Sequence, residues 1–143
     1  METQERQMNP DRALGGAADH LSEIIWSVES DGAVSFTNRS WQDLAGQDHW
    51  RGDDHLFPYQ FPSPDILHTH DRDKLIALWQ LHKTTLTPFK VDVRFYKVSD
   101  KSYAWYMLSM SPILAADKTL SYWQAIITKI DELKSVQTMF QLV

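Results

Sequence analysis

The N-terminal third of the chain carries the pattern of a hairpin followed by that of a short helix. The segment Ile24–Val28 is short, β-branched and aromatic, and the turn residues at 30–32 (Ser-Asp-Gly) separate it from a second apolar run at 33–37. These two runs predict a β-hairpin. Asn38 can then cap a helical turn that ends at Gly46, because Asn is favoured at helix starts and Gly at helix ends.

The C-terminal half predicts three further strands. Residues 89–95 alternate strictly between apolar and polar side chains, which is the pattern of a half-buried strand. The runs at 103–113 and 120–130 carry large side chains at both odd and even positions. A strand with two apolar faces must be covered on both sides. We therefore expect one face of the sheet to pack on the core and the other on a helix or a second protomer.

The middle of the chain predicts an irregular connection and one longer helix. Three of the six prolines and four of the six histidines lie at 46–73, and proline at that density excludes a regular helix or a central strand. Asp71 or Thr69 can cap a helix at about 72–84, and a terminal helix is predicted at 131–143. The apolar stripe of the longer helix consists of Leu75, Leu78, Trp79 and His82. Elements in this order predict an α+β domain with one antiparallel sheet and its helices on one face.

The composition excludes several kinds of chemistry. The 143 residues include 43% hydrophobic and 12% aromatic side chains, as in a globular domain, but no cysteine. Disulfides, cysteine-bound zinc, iron–sulfur clusters and thiol nucleophiles are therefore excluded. The net charge is −5 and no basic cluster is present, which argues against nucleic-acid binding. Without a long apolar run or an apolar signal segment, we expect no membrane insertion and a cytoplasmic location.

Four segments, in this order and at this spacing, are typical of one family of sensory domains. They are IIWSVESDGAVSFTNRSWQDLAG, LHTHDRDKL, FKVDVRFYKVSDKSYAWYMLSMSPI and LSYWQAIITKIDELK. On these segments the chain resembles the PAS domains whose C-terminal half is a PAC motif. It differs from the family pattern at Thr69, where the family has proline, and at 129–131, where Lys-Ile-Asp replaces Asp-Ile-Thr.

The resemblance implies an α+β PAS fold, with a five-stranded antiparallel sheet in the order 2-1-5-4-3 and a helix-lined cavity on one face. It implies an N-terminal arm at 1–20, the PAS domain at 21–130 and the start of a C-terminal signalling helix at 131–143. Such domains bind a ligand or cofactor, or dimerise, and relay the result through flanking helices to a downstream effector. Because the chain ends shortly after the apolar pair Met139-Phe140, we expect an excised sensor or else a stand-alone domain.

In that geometry one set of side chains faces the cavity. Its members are Trp79, His82, Phe95, Tyr106, Leu108, Met110 and Ile127. Bulky side chains at these positions form either a filled core or the lining of a small-molecule pocket. His82 could ligate haem iron through its imidazole, or it could be hydrogen-bonded to a neighbour near the helix end. A covalent flavin adduct is excluded because it needs a cysteine, and the sequence requires no cofactor.

The opposite face of the predicted sheet carries a second apolar set. Arg94 and Trp105 lie on adjacent strands, close enough for the guanidinium to stack on the indole. Met107, Tyr122 and Ile126 share this face. Exposed, these side chains would form a large apolar patch, so we expect the N-terminal arm, the terminal helix or a second copy to cover them. A homodimer is the favoured interpretation.

The histidines and carboxylates of the irregular connection allow further interpretations. A divalent metal could bind among the side chains of His49, Asp53, Asp54, His55, His68, His70 and Asp71. His68 and Asp71 alternatively cap and brace the start of the longer helix, and we expect no metal. His70 and Asp71 could serve as an acid–base pair, but no nucleophile motif or phosphate-binding glycine loop accompanies them.

We therefore expect a non-enzymatic PAS sensor or interaction module of a bacterial-type signalling protein. It would relay the binding of a small-molecule ligand in the cavity, or of a partner, through its flanking helices. The alternatives are a ligand-free homodimerisation domain and a small cavity enzyme that uses His and Asp.

Overall fold

The computed structural model describes residues 23–46 and 56–130, which contain two helices and five strands. In chain order the elements are β1 Ile24–Val28, β2 Val34–Thr37, α1 Arg39–Ala45, α2 Thr69–Thr85, β3 Phe89–Lys97, β4 Ser102–Leu114 and β5 Leu120–Lys129. The strands form one antiparallel sheet in the order β2-β1-β5-β4-β3, so the expected PAS architecture is confirmed. The predicted arm at 1–20 and helix at 131–143 lie outside the described residues. Neither α1 nor α2 is long and apolar enough to cross a membrane.

The register of the sheet separates an inner face from an outer face. Leu108 of β4 lies opposite Val91 of β3 and Ile127 of β5, and these side chains point towards the helices. Arg94 of β3 lies opposite Trp105 of β4. Because successive side chains of a strand point to opposite faces, this second pair belongs to the outer face. The division into two faces agrees with the one predicted from the sequence.

The inner face packs on a cluster of aromatic rings. The Trp26 ring lies edge-on to Trp41, with centroids 5.0 Å apart, and to Phe61, at 4.8 Å. Trp79 of α2 contacts Trp123 of β5, with centroids 5.2 Å apart. All five side chains are almost completely buried. Such edge-to-face pairs each contribute about 0.5–1.5 kcal/mol beyond the burial of their area, so the rings stabilise the core as well as filling it.

Asn38 begins α1 and ties it to β1. Its Oδ1 accepts hydrogen bonds from the N–H of Trp41 (3.3 Å) and the N–H of Ile25 (3.1 Å), and its Nδ2 donates to the carbonyl of Glu23 (2.9 Å). The helix ends at Gly46, whose φ of 88° lies in a region that glycine adopts without a steric penalty. The predicted cap and the predicted end of this helix are both confirmed.

The start of α2 differs from the prediction. The helix begins at Thr69, and its cap is His68, whose Nδ1 accepts a hydrogen bond from the N–H of His70 at 3.2 Å. The prediction that Asp71 or Thr69 caps the helix is therefore wrong, whereas the alternative in which His68 takes part in capping it is confirmed. An imidazole nitrogen with a lone pair takes the acceptor role of the usual side-chain oxygen. The carboxylate of Asp71 instead binds β3, as described below.

The irregular connection before α2 covers the edge of β3. The N–H of His68 donates to the carbonyl of Arg94 (3.0 Å), and the N–H of Tyr96 donates to the carbonyl of Ile66 (2.8 Å). An open strand edge is a site of unwanted pairing, so these bonds protect one side of the sheet. The described part of the connection, 56–68, consists of turns and isolated bridges, as the proline content predicts.

Arg72 holds this connection against α2. Its guanidinium donates hydrogen bonds to the carbonyls of Pro58 (2.8 Å), Tyr59 (3.2 Å) and Pro62. Burial lowers the pKa of Arg72, but a guanidinium remains charged and keeps all of its donors. The role of Arg72 could not be predicted from the sequence, because its partners are backbone carbonyls, which every residue has and which side-chain patterns therefore do not indicate.

Candidate functional site

The interior behind the sheet has the packing of a filled core. Six of the seven predicted cavity residues are at most 6% exposed: Trp79, Phe95, Tyr106, Leu108, Met110 and Ile127. Rings from the irregular connection pack among them, since Phe57 meets Trp79 with centroids 5.2 Å apart. Of the two interpretations of this set, the geometry favours space-filling over a wide interior void.

His82 is the member of the set that lies at the margin of the core. Its Nδ1 is 2.7 Å from Oγ1 of Thr87, and its ring stacks on Phe89 with centroids 5.0 Å apart. Thr87 comes within reach because Leu86 ends α2 in the left-handed region, at φ 54°. This is the hydrogen-bonded arrangement near the helix end that the sequence analysis gives as the alternative to haem ligation.

An open cleft of about 400 Å³ lies between α1 and the ends of the strands. From α1 it is lined by Ser40, Asp43 and Leu44, which share one face of the helix at i, i+3 and i+4. Two residues of the predicted cavity set, Tyr106 and Ile127, form part of the opposite wall. We call this feature the strand-end cleft. It offers room for a small molecule.

The strand-end cleft carries charges of both signs. Glu23 and Asp43 supply carboxylates, and Lys97 and Lys129 supply ammonium groups, from the start of β1, from α1 and from the ends of β3 and β5. Sequence reasoning missed all four, because more than 50 positions separate the two carboxylates from the two lysines along the chain. A signal was present, however. Both lysines occupy inner-face positions at strand ends, where apolar residues precede them.

On the outer face, Arg94 connects α2 to the sheet. Its guanidinium carbon lies 4.7 Å from the centroid of the Trp105 ring, so the predicted stacking is confirmed. Its Nε and Nη2 donate to Oδ2 and Oδ1 of Asp71 at 3.0 and 2.9 Å, and its backbone N–H donates to Oδ2 at 2.7 Å. Lys74 adds a second cation, 3.6 Å from Oδ1.

These contacts set the ionisation of Asp71. Burial alone would raise the pKa of the carboxyl, but hydrogen bonds from the Arg94 side chain and backbone, together with the charges of Arg94 and Lys74, outweigh it. The pKa of Asp71 is therefore below its ordinary value. In the same way, the hydrogen bond to Asp71 raises the pKa of Arg94. Asp71 is thus a bracing residue, as one of the two sequence interpretations has it.

The rest of the outer face is covered unevenly. Tyr122 is 1% exposed within this single chain, whereas Ile126 is 41% exposed. Trp105 and Met107 are half-buried. Residues of the same chain therefore bury Tyr122, which does not depend on the second copy that was one of the three covers expected for this face. What remains open on this face centres on Ile126.

The histidines near α2 do not assemble into a metal or acid–base site. Among the residues that the structure describes, no group of three or more potential metal ligands comes together. Both oxygens of Asp71 face Arg94, and Nδ1 of His68 caps α2. His70 is exposed at the start of the helix. The other predicted ligands, His49, Asp53, Asp54 and His55, lie outside the described residues.

Several solved structures share this fold at low sequence identity. A PAS domain from Colwellia psychrerythraea aligns with a TM-score of 0.63 at 13% identity, covering 87% of this chain and 99% of that one. The N-terminal domain of a diguanylate cyclase with PAS/PAC sensor from Marinobacter aquaeolei gives 0.60 at 14%, covering 78% and 98%. A sensory box histidine kinase/response regulator from Burkholderia thailandensis E264 gives 0.59 at 15%, covering 94% of each chain.

These alignments, with the strand order and the position of the helices, define the class: the chain has the PAS fold. No model of a known protein family matches the sequence. No curated protein matches it either. At this level of identity the alignments establish the fold, and the function must be argued from the residues.

Proposed function

We propose that this chain is the sensory module of a signal transduction protein and has no catalytic activity of its own. The observation that carries the proposal is the strand-end cleft, because it combines room for a ligand with direct contact to the end of β5. The solved structures with this fold include sensor domains of a diguanylate cyclase and a histidine kinase. A PAC-type C-terminal half, a cytoplasmic location and a downstream effector belong to the same proposal.

The mechanism is a shift in packing at the end of the sheet. Ile127, Thr128 and Lys129 line the cleft, and the chain leaves β5 directly after them. At that point the N–H of Ile130 donates to the carbonyl of Trp105 at 2.9 Å. A ligand or partner that prefers one arrangement of this junction shifts the population towards it, by no more than its difference in affinity for the two arrangements.

Hydrogen exchange followed by mass spectrometry tests this proposal on the full chain. The conditions tested as possible inputs to the sensor are a low and a high protein concentration, added haem or flavin, and a set of common amino acids, nucleotides and organic acids. At least one input is expected to change exchange at 120–143 relative to the untreated protein. If no input changes exchange there, the chain has no relay and the proposal fails.

A homodimerisation domain is the second candidate. The observation in its favour is that Ile126 is exposed on the same outer face as the half-buried Trp105 and Met107. A small His/Asp enzyme has weaker support, because the carboxylate of Asp71 is occupied by Arg94 and does not orient His70. The dimer is tested below.

A further inference from the structure

We propose that the strand-end cleft binds a small dipolar molecule, namely a free amino acid with an apolar side chain. This inference rests on the proposed sensory function and deepens it, since it names the site and the chemical class of the input. It also moves the binding site away from the interior, where the aromatic rings are packed closely, to the end of the sheet.

The balance of charge selects a dipolar ligand. Two carboxylates, Glu23 and Asp43, and two ammonium groups, Lys97 and Lys129, line the same cleft. A ligand with a single charge would meet two groups of like charge along with two of opposite charge. A molecule that carries one cation and one anion can place each of them against its opposite. Charge-assisted hydrogen bonds of this kind are roughly twice as strong as neutral ones.

These four charges are largely available to a ligand. Within the ranges that the structure describes, the one ion pair that involves any of them joins Lys97 to Asp100, at 3.9 Å. That pair lies in the turn between β3 and β4, where both side chains are exposed and the attraction is weak. Glu23, Asp43 and Lys129 form no ion pair with another described residue, so a ligand would not have to displace one.

The floor of the cleft suits a short apolar side chain. Ile24, Leu44 and Ile127 are among its lining residues, and each is at most 3% exposed. The hydroxyl groups of Ser40 and Thr128 lie among the lining residues as well. A volume of about 400 Å³ is within the usual range for small-molecule sites, roughly 300–1,000 Å³. The combination of an apolar floor with a charged rim matches an amphipathic ligand.

The cleft is preformed, because its helical wall is tied to the sheet at both ends. Asn38 joins the start of α1 to β1 through the N–H of Ile25 and the carbonyl of Glu23. At the other end, the N–H of Val98 donates to the carbonyl of Leu44 at 3.3 Å. A wall that is already in place lowers the ordering cost of binding.

The test uses the full chain and four L-amino acids: leucine, valine, methionine and phenylalanine. Binding is followed by amide chemical shifts in nuclear magnetic resonance. At least one of the four is expected to shift the amides of Ser40, Asp43 and Thr128. The single-charge analogues of leucine, 4-methylpentanoate and 3-methylbutylamine, are expected to bind at least about tenfold more weakly.

Variants separate the cleft from other sites. Asp43→Asn and Lys129→Gln remove one charge each from exposed positions and should weaken binding by about tenfold or more. Asp73→Asn and Lys90→Gln remove one carboxylate charge and one ammonium charge at positions outside the cleft, and they should leave binding unchanged. The melting temperature of each variant shows that it is folded.

Three results would overturn the inference: no binding by any of the four amino acids, equal binding by the single-charge analogues, or equal loss in cleft and control variants. None of these three results would contradict the proposed sensory function, provided that a different ligand or condition changes hydrogen exchange at 120–143. If amino acids bind in the cleft but exchange at 120–143 does not change, the site stands and the relay fails.

Discussion

Asp71 is the residue whose ionisation contributes most directly to stability. Its carboxylate is buried and accepts three hydrogen bonds from Arg94, so its pKa in the folded protein is below its ordinary value of 3.8. A depressed carboxyl pKa stabilises the fold at pH values above the unfolded pKa. That stabilisation is lost as the pH falls from the unfolded pKa through the lower folded pKa, because in this range the unfolded chain binds a proton more readily than the folded chain does.

We predict that Asp71→Asn lowers the free energy of unfolding by roughly 2 kcal/mol at neutral pH, since it removes the charge from hydrogen bonds in a mostly buried pair. The difference from the unaltered protein should shrink as the pH falls below about 4, because the carboxyl of the unfolded chain then binds a proton while the folded one still resists it. Urea denaturation at a series of pH values measures this. Asp73→Asn, two residues along on the exposed side of α2, is the matched control. A difference that stays constant down to about pH 2 would contradict the role assigned to Asp71.

At the scale of elements, the irregular connection depends on α2 for its position. Arg72 supplies hydrogen bonds to three carbonyls of the connection, and Phe57 and Phe61 from the same segment fill the core. Because proline removes backbone donors, this segment cannot form a regular ladder of its own. A guanidinium, with five donors in a fixed plane, is suited to hold several carbonyls at once.

We predict that Arg72→Met increases hydrogen exchange at Gln60 and Phe61, whose N–H groups bond within the connection. The β4–β5 pairing should keep its protection, and the free energy of unfolding should fall by about 1 kcal/mol, because partly buried carbonyls lose their donors. Arg72→Lys should restore only part of the protection, since an ammonium group is a point charge and not a planar fork. Lys83→Met, on the exposed side of the same helix, is the control. A uniform loss of protection from hydrogen exchange across the sheet would contradict this prediction, because it would mean that Arg72 supports the whole domain.

At the scale of the whole molecule, the outer face is the surface through which we expect two copies to associate. Ile126 is exposed there, opposite Ser109 of β4, but Tyr122 is already buried. The surface that a second copy can cover is therefore smaller than the sequence suggests. We expect a weak homodimer, because small interfaces bind weakly unless a few residues pack very well.

We predict that Ile126→Asp weakens self-association by more than about tenfold, because it places a charge in an apolar contact. Sedimentation equilibrium over a range of protein concentrations measures the effect. Leu81→Asp changes an equally apolar and even more exposed side chain on α2, and should leave association unchanged. If the unaltered protein is monomeric at every concentration, or if Leu81→Asp has the same effect, the outer face is not a dimer interface.

The sequence by itself determined the elements and the two faces of the sheet. The turn at 30–32, the Asn38 cap, the Gly46 end and the alternation in β3 are local signals, since each depends on backbone preferences within a few residues. The alternation gave the inner and outer sides of β3, whereas those of β4 and β5 followed from the resemblance to PAS domains. The stacking of Arg94 on Trp105 could therefore be predicted, because facing positions on adjacent strands follow from the register.

Only the tertiary structure decided which distant groups meet. The bond between Asp71 and Arg94 spans 23 positions. The charges of the strand-end cleft come from both ends of the described chain, and the position of His82 depends on how Leu86 turns the backbone back. Periodicity records which side of an element is apolar, but it does not record where the neighbouring element ends. The filled interior and the open cleft both depend on that long-range placement, and this is why the candidate site moved from the core to the end of the sheet.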